Sequence, residues 1–91
     1  MDNQLYIARA SRFTEADPVR GVKDSRTEYS GYHIVVASGN PIASEKLLAH
    51  LKKNTRYRGW ICSETKELTA GKDVSLERRA EILGEVFPVI R

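Results

Sequence analysis

The sequence predicts a small α+β fold, a mixed and mainly antiparallel sheet of three to four strands with two helices packed on one face. Three observations carry that prediction. An alternating segment near the start and a β-branched run at 31–38 read as strands, and two later segments repeat apolar residues with helical spacing. The order β, loop, β, α, β, β, α lacks the strict strand–helix alternation of a doubly wound sheet. A chain of 91 residues is expected to form one domain, 1–91, around a single modest core.

The first strand is read at 4–13, QLYIARASRF, where Leu5, Ile7 and Arg9 alternate with Tyr6, Ala8 and Ala10, the pattern of one mostly buried face. Residues 14–30 carry Pro18, Gly21 and the turn formers Asp17, Asp24 and Ser25 with almost no apolar periodicity. They read as a long loop, which in a small domain is normally mobile or functional. GYHIVVAS, 31–38, is a continuous apolar run and reads as a central strand covered on both faces.

Gly39-Asn40-Pro41 then turns the chain, with Asn40 as a cap and Pro41 at a first helical position, where its missing N–H is no loss. The helix is expected over 41–53, burying Ala43, Leu47, Leu48 and Leu51. TRYRGWICSE, 55–64, alternates Arg56, Arg58, Trp60 and Cys62 against Tyr57, Gly59 and Ile61. It reads as a strand, turned at 64–66 into a short returning strand, Glu67 to Thr69. Asp73 or Ser75 caps the last helix, whose stripe is Leu76, Ala80, Leu83 and Phe87 flanked by Ile82 and Val86, and Pro88 stops it. An alternative for the middle of the chain is a βαβ crossover joining 31–38 and 56–62 as parallel neighbours.

Composition narrows the function classes. A single cysteine, Cys62, excludes an internal disulfide framework, and two distant histidines give no zinc-finger spacing. No apolar run approaches the roughly 20 residues of a membrane span, and the N-terminus lacks a charged-then-apolar leader. A cytoplasmic location is expected. No catalytic set is expected either. Cys62 reads as a small buried hydrophobe, His33 and His50 have no carboxylate at an orienting spacing, and Glu77, Glu81 and Glu85 form a solvated stripe that pairs with Arg78. The reading is therefore non-enzymatic, with no metal and no cofactor.

HIVVASGNPIASEKLLAHL places a buried strand before a turn and a helix start, where backbone N–H groups and the helix dipole suit an anion. The stretch resembles the opening strand, turn and helix of the inosine triphosphate pyrophosphatase family. That likeness implies phosphate binding at Ser38, Gly39 and Asn40, but the family's longer body and acidic metal-binding set have no counterpart here. KELTAGKDVSLERRAEILGEVF, a strand leading into an amphipathic helix, resembles the small inhibitors of the DNA-damage-inducible type, which dock on recombinase filaments. The first strand, the long loop and a less acidic last helix depart from that pattern.

Charge is concentrated in one place. Residues 46–60 hold five basic side chains and no acidic one, although the net charge is only +3. If 55–62 is a strand, Arg56, Arg58 and Trp60 share one face. Guanidinium and indole groups suit an acidic protein surface as interface anchors, and equally suit single-stranded nucleic acid or RNA through phosphate neutralisation and base stacking. The expectation is a small regulatory protein, such as an inhibitor encoded by a mobile element, that occupies a surface of a larger partner. Its face would be Lys52, Lys53, Arg56, Tyr57, Arg58 and Trp60, extended by Arg20, Lys23 and Arg26. Nucleic-acid binding through the same residues is the alternative.

Overall fold

A computed structural model of the chain describes residues 3–68 and 74–91. Five strands and two helices follow in the order β1 (Gln4–Thr14), β2 (Arg26–Tyr29), β3 (His33–Ala37), α1 (Asn40–Leu51), β4 (Ile61–Glu67), α2 (Leu76–Gly84) and β5 (Val89–Ile90). The α+β class and the mostly antiparallel sheet are as expected.

β1 organises the sheet. One of its edges pairs with β4, from Tyr6↔Glu67 to Ser11↔Ile61. The other edge pairs first with β3, from Gln4↔Ala37 to Ala8↔His33, and then with β2, from Ser11↔Tyr29 to Thr14↔Arg26. Ser30 bridges the break between them. Its N–H donates to the Ala10 carbonyl at 2.9 Å, and its hydroxyl accepts from the Ala10 N–H at 2.9 Å. β5 adds in parallel to β3, opposite Ile34 and Val35.

β3 and β4 both run antiparallel to β1 and so are parallel to each other, with α1 as the crossover. They are not neighbours, because β1 lies between them. A one-residue register shift between Arg9 and Ala10 bulges β4 at Ser63, which raises the local twist.

The pleat divides the core in two. Tyr6, Ala8, Ala10, Val35 and Ala37 point to one face and are buried under Ala43, Leu47 and Leu51 of α1. Leu5, Ile34 and Val36 point to the other and meet Ala80 of α2, with Leu76, Leu83, Phe87 and Val89 packed around them. The two helices therefore lie on opposite faces, not on one. Fully burying a side chain such as Leu47 or Ile34 contributes about 1.5–3 kcal/mol, so each face holds its own helix. Ser75 caps α2 by accepting from the Arg78 N–H at 3.2 Å; Asp73, the alternative cap, lies outside the described residues. Ile82 and Val86, expected to flank the apolar stripe, are exposed.

Two further expectations are corrected. Residues 14–30 are a loop only in part, because β1 continues to Thr14 and β2 returns from Arg26, which leaves 15–25 as the long connection of a hairpin. Its tip is a 3₁₀ turn, Pro18–Arg20, with Asp17 accepting from the Val19 N–H and Gly21 in the left-handed region at φ 81°, where a Cβ would be strained. The expected hairpin at 55–69 is replaced by a 3₁₀ turn, Thr55–Tyr57, followed by one strand that runs through Glu67. Thr69 lies outside the described residues.

Candidate functional site

The 50–60 segment leaves α1 at Leu51 and turns immediately. Asn54 caps the 3₁₀ turn by accepting from the Arg56 N–H at 3.0 Å, and Gly59 has a positive φ of 81°. The 3₁₀ turn at Thr55–Tyr57 and the left-handed Gly59 break the strand alternation, and with Arg56 and Arg58 exposed and Trp60 buried the three share no face. Trp60 points inward, 5% exposed. It joins the α1 core beside Leu51 and Ala10 and meets the Tyr57 ring edge-on at 4.9 Å. The proposed Arg–Arg–Trp surface does not exist. Lys52, Lys53, Arg56 and Arg58 are exposed, and none has an ion-pair partner among the described residues; Arg56 lies over the Tyr57 ring at 5.7 Å.

Arg20, Lys23 and Arg26 fall on the hairpin. Arg20 pairs with Asp17 at 3.6 Å, and Arg26 lies 3.3 Å from Glu28, a carboxylate that it shares with Arg12. They line shallow hollows of the hairpin itself, not the cavity beside residues 50–57.

At 38–41 Gly39, not Asn40, holds the cap position, in extended conformation and with no side-chain cap bond; Asn40 is already helical. The nearby cation, Lys46, spends its ammonium on the Val36 carbonyl at 2.7 Å. Ser38, Gly39 and Asn40 thus form an ordinary helix start.

His33 opens β3 and His50 lies in the last turn of α1, and their rings stand 5.6 Å apart, nearly edge to face. His33 Nδ1–H donates to the Gly31 carbonyl at 3.0 Å. Burial pushes the His33 pKa below the usual histidine value; the Gly31 bond opposes the shift and the His50 charge adds to it. The two rings, with Leu51, Lys53, Asn54 and Tyr57, line a cavity of about 350 Å³, to which neither Cys62 nor a carboxylate contributes among the described residues. Cys62 is half-buried, its thiol directed at the Glu64 carbonyl. No three His, Cys, Asp or Glu side chains converge among the described residues. Glu81 pairs with Arg78 and Glu77 with Arg91 on the outside of α2.

The surface that sequence reasoning misses lies at the other end of the sheet. Ile61, Ser11 and Tyr29 are cross-strand neighbours, and Phe13 is two residues beyond Ser11 on β1, so all four point to the α2 side. α2 does not reach them. Its nine residues span roughly 13 Å, whereas the eleven of β1 span roughly 37 Å.

Phe13, Tyr29 and Ile61 are accordingly 65%, 54% and 64% exposed, around a buried Ser11. Arg9 anchors the inner border: its guanidinium lies 4.2 Å from the Tyr29 ring centre and 4.8 Å from that of Tyr32, and its Nε is 3.0 Å from Glu64. The Tyr32 hydroxyl donates to the same carboxylate at 3.1 Å. At the hairpin tip Val19 is 96% exposed. The alternation Arg9, Ser11, Phe13 was the available signal, since it carries the strand past the point where any helix could cover it. Comparison with family models, with curated proteins and with solved structures finds no match to this chain.

Proposed function

We propose that this protein is a non-enzymatic binding protein that occupies a surface of a larger protein, docking through the bare sheet face formed by Phe13, Tyr29 and Ile61. The observation that carries the reading is their contiguity: three large apolar side chains, each more than half exposed, lie across three hydrogen-bonded strands instead of being scattered. Grouped exposure of this kind marks interaction sites, whereas single exposed apolar residues are ordinary. The clamp of Arg9 between two tyrosines and Glu64 fixes the inner border before any partner arrives, which lowers the ordering cost of association.

A protein partner fits this face better than nucleic acid. Binding a nucleic-acid strand needs several free cations beside the stacking rings, and here Arg9 is paired with Glu64 while Arg12 and Arg26 share Glu28, three cations against two carboxylates with one net positive charge left over. The exposed cations Lys52, Lys53, Arg56 and Arg58 serve as a charged flank, steering association toward an acidic surface without forming the anchor. An inhibitor acting in the cytoplasm, where Cys62 remains a thiol, is the form of this reading that we favour. Among the described residues no helix is long and apolar enough to cross a membrane.

A photo-crosslinking amino acid placed in turn at positions 13, 29 and 61, with position 45 on the outside of α1 as control, tests the proposal in cells. One protein partner is expected to crosslink from the first three positions and not from 45. Equal crosslinking from all four, or recovery of nucleic acid alone, overturns it.

A further inference from the structure

His33 and His50 are seventeen positions apart in the chain, and only the packing of α1 on the β3 face brings their rings to 5.6 Å. We propose that this pair is an open binding site for a transition-metal cation of the zinc or nickel type, with water in the remaining coordination positions.

Three features support it independently of the docking face. The Nδ1–H bond to the Gly31 carbonyl fixes the His33 tautomer and leaves the Nε2 lone pair free, the same backbone-carbonyl support that orients metal-ligating histidines elsewhere. With metal–nitrogen bonds of about 2.0–2.1 Å, two imidazoles on one ion stand roughly 5–6 Å apart centre to centre, so the observed spacing needs only a turn of the exposed His50 ring. The cavity also lies at the C-terminal end of α1, where the helix dipole favours positive charge.

Two protein nitrogens make a weak, exchangeable site, and imidazole selects zinc, nickel or copper over magnesium or calcium. Lys53 lines the same cavity and opposes the ion by like charge, and this supplies a discriminating variant. An anion in the cavity would depend on Lys53, whereas a metal ion is held better without it.

Calorimetric titration of the tag-free full chain with Zn2+ and with Ni2+ at neutral pH tests the site. Binding of a single ion is expected. His50→Ala should weaken it by roughly ten-fold or more, since even outer-shell partners of a metal cost that much when removed, and Lys53→Gln should tighten it. His50 is exposed, so its variant folds. As a readout that needs no substitution, the imidazole nitrogen resonances of both histidines should shift together with added Zn2+. Absence of binding, binding unchanged in His50→Ala, or resonances that do not move, each overturns the proposal.

Discussion

The two ends of β1 are built from the same alternating pattern and meet opposite fates. From Leu5 to Ala10 the strand is covered by α1 on one face and α2 on the other, and Leu5, Tyr6, Ala8 and Ala10 are buried. From Arg12 onward it pairs with β2 alone, no residue of 12–29 belongs to either core cluster, and the molecule is drawn out to 56 Å against 22 and 19 Å across. The covered end accounts for stability. The bare end contributes little to folding yet keeps a regular, hydrogen-bonded shape, which is the combination expected of a surface held for something else.

The largest effect expected from this contrast is at Trp60, whose indole belongs to the covered end. Trp60→Ala should cost about 3–5 kcal/mol of stability, as loss of a buried aromatic does. Arg56→Ala and Arg58→Ala, at exposed positions in the same segment, should stay within about 0.5 kcal/mol. Denaturant unfolding checks both, and a Trp60 variant as stable as the arginine variants would return the indole to the surface.

A smaller effect is expected from His33. Its folded pKa is lowered, so below its ordinary pKa the unfolded chain binds more protons than the folded one, and stability rises with pH through that range. Acidification from about 6.5 downward should therefore destabilise the wild type, up to a limit reached below the lowered folded value. His33→Gln should remove that part of the pH dependence. Thermal unfolding across this window measures it, and an identical pH profile in the variant would contradict the burial of His33.

Much of the covered end was legible in the sequence. The stripe Ala43, Leu47, Leu51 specified α1, and the run Ile34 to Ala37 specified an interior strand. That run also held the information that was misread. A strand apolar at every position needs cover on both sides, which two helices on one face cannot supply, and the structure meets the requirement with α2 beneath Ile34 and Val36.

Trp60 was misplaced for a local reason. Arg56-Tyr57-Arg58 imitates strand alternation, and only the Asn54 cap and the positive φ of Gly59, neither visible in a hydropathy pattern, convert it to a turn that sends the indole inward. β2 was missed because Arg26-Thr27-Glu28-Tyr29 has no apolar periodicity to read. Its stability comes from pairing with β1 and from Arg12 and Arg26 on Glu28. The His33–His50 contact depends on packing and has no spacing signature.

The docking face is tested most directly by the affinity of a Phe13→Ser, Tyr29→Ser double variant for the crosslinked partner, measured beside its unfolding curve. Loss of roughly 30-fold or more in affinity, about 2 kcal/mol as for interface anchors, with a near-native unfolding midpoint, is the predicted result. Unchanged affinity in that variant, with binding lost instead on Lys53→Glu and Arg56→Glu, would contradict the account and return the interface to the basic turn.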